Sequence, residues 1–300
     1  MRIVSLVPSA TEILCALGLA DEIVAISHDC DYPREILNRP RLTTTRLGPD
    51  LTSYEIDKKV RESAASGHSL YAIDTGWLRQ LNPDLVITQE QCDVCAVDRD
   101  SAVCALEQVK LNALSLALTA VDFQGLYRDI LNVGVATGRG HAAQNLIHKL
   151  TQRLDIVTQQ AGPACRPRAF CLSWFDPLMA AGSWITQMVQ LAGGDDCLGA
   201  GKLASSRLAV LQVSRAKPQV IFLLPCSFSQ SRAAQEWAGI RDSEPWRDMP
   251  AAREGRVFAL ESSLLHRPGP RLVDGVELMA SLLHPEHCSF SQQGFFRKVA

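Results

Sequence analysis

The sequence predicts an α/β fold: two small lobes with mostly parallel sheets, joined by a long backbone helix, with a ligand cleft between the lobes. Three observations lead there. Short, nearly continuous apolar runs alternate with helical patterns, as parallel strands covered on both faces require. One helical pattern of unusual length fills the middle of the chain, from Val121 to about Gln160. The flanking halves echo one another: Asn82-Pro83-Asp84-Leu85-Val86-Ile87 matches Lys217-Pro218-Gln219-Val220-Ile221-Phe222 in pattern, and Ile13–Gly18 matches Met188–Gly193. The expected division is an N-terminal lobe over 1–118, a linking helix over 119–162 and a C-terminal lobe over 163–300.

Taken in order, the strands fall at Ile3–Val7, Ile23–Ile26, Leu85–Thr88, Ala169–Leu172, Val220–Leu224 and Val257–Leu260. The first helix opens on Ser9-Ala10-Thr11-Glu12, a capping-box pattern in which Ser9 accepts a backbone N–H and Glu12 reaches back. Ile13, Leu14 and Leu17 form its buried stripe, and Gly18 stops it. In the long central pattern Leu126, Ile130, Val133, Leu146, Leu150 and Leu154 make the apolar stripe. Gly138-Arg139-Gly140 interrupts it, which predicts a kink or two abutting helices. Gly162-Pro163 and Arg166-Pro167 end it.

Bulk properties narrow the function classes. The 300 residues are 47% hydrophobic and 21% charged, a globular composition. The net charge of −2, from 30 Lys+Arg against 32 Asp+Glu, supplies no field for nucleic acid. No run approaches the ~20 apolar residues of a membrane helix. The apolar run Ile3–Val7 is too short for the core of a signal peptide and no cleavage motif follows, so the expected compartment is the cytoplasm. In that compartment the ten cysteines are expected as thiols or metal ligands. Cys15 and Cys171, inside apolar patterns, are expected to be buried and inert. There is no G-x-S-x-G, no Walker motif and no G-x-G-x-x-G.

Several segments together resemble the helical-backbone (class III) family of substrate-binding proteins that carry vitamin B12 and ferric siderophores to ABC importers. They are Ile3-Val4-Ser5-Leu6-Val7-Pro8-Ser9-Ala10-Thr11-Glu12, Asp31-Tyr32-Pro33, Leu81-Asn82-Pro83-Asp84-Leu85-Val86-Ile87, Val189–Gly194, Lys217-Pro218-Gln219-Val220-Ile221 and Arg267-Pro268-Gly269-Pro270-Arg271. The resemblance implies two α/β lobes on one long helix, little hinge motion, a ligand between the lobes and no catalysis. The chain departs from the family pattern in three ways: no secretion signal is visible, a segment from about Asp50 to Thr75 is inserted, and cleft-side loops carry cysteines where relatives place aromatics. The expectation is therefore a signal-less cytosolic branch, with an importer partner not supported.

In open α/β sheets ligands sit beyond the carboxyl ends of the strands. The loops there carry Pro8 and Ser9, then Ser27-His28-Asp29-Cys30-Asp31-Tyr32, then Gln89-Glu90-Gln91-Cys92-Asp93-Val94-Cys95. Cys92-x2-Cys95 has metal-ligand spacing, and His28 and Cys30 are candidates to complete the set. Four N/S donors suit zinc, three thiolates suit an iron–sulfur cluster, and a thiolate or imidazole suits the cobalt of a corrinoid or the iron of a heme. A redox role for the CxxC pair is a rival, opposed by the acidic neighbour Asp93, which raises a thiol pKa. On the other side, Trp174, Asp176 and Trp184 are candidate contacts for a flat macrocycle. His266 is a candidate axial ligand, and Arg267 and Arg271, near a helix start, suit an anionic group.

Two functions follow. One is a non-catalytic cytosolic binder of cobalamin, a related corrinoid or another metal chelate. The other is a metal- or iron–sulfur-dependent enzyme using Cys30, Cys92 and Cys95, with the arginine loop holding an anionic substrate. Sites are grafted onto folds, so fold alone does not separate them.

Overall fold

A computed structural model describes all residues except 67–68, 91–96, 98, 163–164, 200–204 and 291–293. The chain forms two compact units, Met1–Lys149 and Leu150–Ala300. Unit 1 runs β1 (Ile3–Ser5), α1 (Pro8–Ala16), β2 (Ile23–Ile26), β3 (Thr43–Thr45), α2 (Ser53–Ser66), β4 (Tyr71–Ile73), α3 (Thr75–Leu81), β5 (Leu85–Gln89), α4 (Arg99–Val109), β6 (Leu114–Leu118) and α5 (Phe123–Ala136). The unit boundary falls inside α6 (Gly140–Ala161). Unit 2 continues with β7 (Arg168–Trp174), β8 (Met179–Ala180), α7 (Trp184–Leu191), β9 (Asp195–Asp196), β10 (Ser206–Arg207), α8 (Val210–Ala216), β11 (Val220–Leu223), α9 (Gln230–Ala238), α10 (Pro250–Arg253), β12 (Val257–Leu260), α11 (Leu272–Leu283) and β13 (Phe296–Lys298).

The α/β, mostly parallel prediction holds. In unit 1 four parallel strands take the order β2-β1-β5-β6, with Ile3 registered against Ile23 on one side and Leu85 on the other. In unit 2, β7, β11 and β12 form the parallel centre, and β8 and β13 add antiparallel flanks. Every expected strand is present, and each centre strand is buried throughout or nearly so. The unit 2 core sets Phe170, Leu172, Ile221 and Leu223 against Trp237 and Trp246, whose rings meet edge to face at 5.3 Å.

One expectation is overturned, one is narrowed to one of its alternatives, and one strand is new. Ser9 is not the cap of α1: Val7 is the N-cap, and Pro8 is the first helical residue, where its missing N–H costs nothing. Ser9 and Glu12 are instead buried. The central helical pattern is two helices, α5 and α6, because Gly138 takes φ +70, a left-handed conformation that ends α5. β6 escaped the sequence reading because Leu-Ser-Leu-Ala-Leu is a half-exposed edge strand made of good helix formers.

The segment read as inserted, from about Asp50 to Thr75, holds α2 and β4, and β4 pairs with β3, which precedes it. β3 and β4 pair antiparallel, Thr45 opposite Tyr71 and Thr43 opposite Ile73, with α2 between them in sequence. The pair is tied to the main sheet beside β2, where Ile26 N–H donates to Pro40 O (2.9 Å) and Leu42 N–H to Ile26 O (2.8 Å).

In unit 2, Arg153 of α6 grips α11. Its guanidinium donates to both carboxylate oxygens of Glu277 (2.8 and 2.7 Å) and to Asp274 (2.6 Å). The hydrogen bonds to Glu277 lead the effects that hold this guanidinium more firmly charged than usual, against the opposing effect of burial.

Candidate functional site

The unit 1 residues sit where the parallel strands end. Thr11 Oγ donates to Ser5 Oγ at 2.7 Å, and the Cys30 sulfur lies 3.1 Å from Thr11 Oγ and 3.2 Å from Ser27 Oγ. Cys30 is 1% exposed, so this thiol faces a nest of hydroxyls inside the unit and not the strand-end surface. Pro8 and Ser9 are likewise buried, the first as the opening residue of α1. Tyr32 is 47% exposed and precedes a cis Pro33. Cys92 and Cys95 lie outside the described residues.

His28 is held differently. Thr43 Oγ accepts the His28 backbone N–H at 2.9 Å and lies 2.7 Å from ring Nδ1. The ring packs on Tyr71 with centroids 5.5 Å apart. Arg41 Nη1 donates to the carbonyls of Ser27, His28 and Cys30 at 3.1, 2.7 and 3.1 Å, fixing the loop backbone. Burial lowers the His28 pKa, Asp29 opposes that and Arg41 adds to it, so the imidazole is neutral near pH 7.

The expected four-ligand metal centre is not assembled among the described residues. Cys30 faces inward, and no group of three or more His, Cys, Asp or Glu among the described residues could hold a metal ion. Of the two thiols expected to be buried and inert, Cys171 is buried and Cys15 is only half-buried. Burial, with lesser contributions from Glu35, Cys30 and Glu12, pushes Cys15 up to about 12. Cys171, fully inside β7, is pushed well above the ordinary thiol range by burial.

In unit 2 the ends of β7 and β11 bring two aromatic rings together, Trp174 half-buried and Phe228 1% exposed. The Trp174 ring meets the Phe228 ring at 5.3 Å and 58°, and Trp174 Nε1 donates to the Asp176 carbonyl at 3.1 Å. The Arg232 guanidinium lies 3.7 Å from the Phe228 centroid, within cation–π range. Asp176 is exposed, in a loop with cis Pro177. Trp184 opens α7, and its Nε1 donates to the Leu265 carbonyl at 2.7 Å.

His266 does not have a free Nε2 for a metal. That nitrogen lies 2.5 Å from the Leu224 carbonyl, and since a carbonyl only accepts, Nε2 carries the proton. Burial lowers the His266 pKa to about 4, opposed by this hydrogen bond. The residue is a strut between the end of β11 and the 265–271 loop. Arg271 caps α11 with a side chain only 12% exposed, 4.0 Å from Asp274 and above the Phe295 ring. Its charge is thus shared with the carboxylate that Arg153 also binds. Arg267 is half-buried in the same loop.

Two surface hollows, of about 570 Å³ at the α5–α6 turn and about 380 Å³ beside α2, contain none of the predicted ligand residues. Among the described residues, no helix is long and apolar enough to cross a membrane. Sequence reasoning missed Thr43, Tyr71, Arg41 and Arg232. Tyr71 lies in the segment read as inserted and Thr43 just before it, and nothing in the sequence announces their docking onto the His28 loop.

Comparison with known proteins now adds relatives. The family model described as "Periplasmic binding protein" matches residues 3–264. The vitamin B12-binding protein of Vibrio cholerae is 24% identical over 284 residues, covering 94% of this chain and 88% of that one. YvrC, an uncharacterized ABC transporter substrate-binding lipoprotein of Bacillus subtilis, is 24% identical over 290 residues, covering 95% and 80%. The crystal structure of a periplasmic heme-binding protein from Pseudomonas aeruginosa superposes with a TM-score of 0.73 at 18% identity, covering 97% and 95%.

Proposed function

The chain belongs to the periplasmic binding protein family, and from that premise we propose that it is a non-catalytic receptor for a flat metal chelate, a corrinoid or a heme-type macrocycle. The relatives named for vitamin B12 and for heme support the ligand class. The observation that carries it in this chain is the half-buried Trp174 ring at the strand ends of unit 2, tilted against the buried Phe228, with the Arg232 guanidinium on that same Phe228 ring. A macrocycle presents a broad apolar face, which gains from lying on an aromatic ring, and an amide or carboxylate rim, which a guanidinium satisfies.

The test is titration calorimetry of the full chain with cyanocobalamin and with ferric protoporphyrin. Saturable one-to-one binding of either sustains the proposal. Failure of both to bind sinks it. Trp174→Ala should weaken the bound ligand by about 0.5–1.5 kcal/mol, the value of one aromatic contact.

Two further points belong to this reading. The name of the Bacillus relative weighs against the expectation that an importer partner is not supported, so pull-down with an ABC permease is a fair trial. The compartment we propose is the cytoplasm, where the ten cysteines are expected as thiols. Recovery of the native protein in an osmotic-shock fraction would refute that location.

A further inference from the structure

We propose that the outer edge of β6 is an interaction surface for a second copy of this chain, which pairs through the same strand about a two-fold axis and joins two unit 1 sheets into one. The proposal does not depend on which chelate the protein takes.

The backbone of this edge is open. β6 ends the strand order β2-β1-β5-β6, with no strand on its far side among the described residues. In a parallel ladder, alternate residues turn both backbone groups to the same neighbour. Leu114 N–H donates to Asp84 O and Glu90 N–H to Leu118 O, both at 2.9 Å, so Leu114, Leu116 and Leu118 bond inward to β5. Ser115 and Ala117 therefore turn their N–H and C=O groups outward, where no backbone group among the described residues meets them. The opening stops at Thr119, whose N–H is accepted by Asp129 at 2.9 Å.

The side chains select a copy of this strand as the partner. No charged residue lies between Lys110 and Asp122, and Leu114 and Val121 are 56% and 43% exposed, so a charged strand would find no counter-charge here. An uncovered apolar edge invites pairing, and the chain blunts its other edges. β2 is covered at Ile26 by residues 40–42, β13 carries Arg297 and Lys298, and β10 is two residues long with Arg207 as one of them. Antiparallel pairing centred on Leu116 sets Ser115 of each copy opposite Ala117 of the other. The two outward N–H and two outward C=O groups of each copy then make four hydrogen bonds, and none is left over. Such an interface is isologous, so it closes at two chains.

Sedimentation equilibrium of the full chain should show a mass that rises with concentration from one chain to two and no further. Ala117→Pro removes an outward N–H from each copy without touching the ladder to β5, so it should hold the chain as a monomer with an unchanged far-ultraviolet spectrum. The register has its own readout. The Leu116 residues of the two copies face one another as a non-hydrogen-bonded pair, with Cα atoms about 4.5 Å apart, which is within disulfide reach. Treated with diamide, Leu116→Cys should give a covalent dimer on a non-reducing gel, beyond any formed by the parent chain. The more exposed Leu114→Cys, which lies opposite Leu118 in that register, should not. A chain that stays single at every concentration overturns the proposal, including one that captures an unrelated peptide strand instead. So does a dimer that survives Ala117→Pro, or crosslinking that is equal at the two positions. Should Ala117→Pro fail to fold, the two cysteine variants decide the matter by themselves.

Discussion

Replacing Arg153 by Met should destabilise unit 2 by about 2–3 kcal/mol. The side chain makes three charge-assisted hydrogen bonds between 2.6 and 2.8 Å to Glu277 and Asp274. Each such bond is worth about 1.5–3 kcal/mol when fully enclosed. Arg153 is 37% exposed, so water screens part of that, but Glu277 is only 11% exposed and would be left with a poorly hydrated charge. At about 2–4 °C per kcal/mol for a unit of this size, the melting temperature should fall by roughly 5–10 °C. Differential scanning calorimetry measures it. Arg153→Lys keeps the charge but loses the planar fork, so it should recover only part of the loss. A melting temperature unchanged in Arg153→Met, or fully restored by lysine, would refute the claim that a bidentate clamp holds α11.

Other perturbations test other parts of the structure. His266 has a folded pKa of about 4 against 6.5 for a free imidazole, so the unfolded chain binds the extra proton between those values. Stability should therefore rise as pH goes from 4 to 6.5 and level off above it, by about 2 kcal/mol after discounting for the partly exposed ring; urea melts across that range check this, and His266→Gln should flatten the slope. Gly275→Ala would push a methyl to 2.6 Å from Met188 Cε and 2.8 Å from Leu265 Cδ2, where α11 meets α7, costing about 1–3 kcal/mol by overpacking in the same melts. Asp129 accepts the Thr119 and Ala120 backbone N–H groups at 2.9 Å each, so Asp129→Ala should cost about 2 kcal/mol and expose the β6–α5 turn to hydrogen exchange.

The fold was legible where burial on both faces leaves an unbroken apolar signature. Val220–Leu223 and Val257–Leu260 stand out because both faces of a central parallel strand are covered and every residue of these two is apolar and buried. β3 and β4 carry no such mark: Thr43–Thr45 and Tyr71–Ile73 are short and half-exposed, so their pairing depends on a docking partner far away in sequence. The candidate site was legible as a set of strand-end loops and illegible as geometry. Cys30 and His28 are two residues apart, yet one turns inward to Thr11 and the other packs on Thr43 and Tyr71. His266 and His28 look alike as loop histidines, and the sequence does not show that the first is held on a carbonyl 42 residues distant. Arg271 read as an anion anchor because the sequence does not reveal that Asp274 and Phe295 already engage it.

The clamp between α6 and α11 also constrains when the protein can finish folding. Arg153 and Glu277 are 124 residues apart, so their contact closes a long loop whose entropy must be met before any reward arrives. On the ribosome, unit 1 can complete its sheet once β6 has emerged, because none of its strands lies in the second half of the chain. The second sheet must wait for β12 and then for β13, which with α11 lies among nearly the last residues. During that interval α7 and the apolar face that α11 will cover stand open, making the half-made C-terminal unit the stage at which synthesis is most exposed to aggregation or to capture by a chaperone.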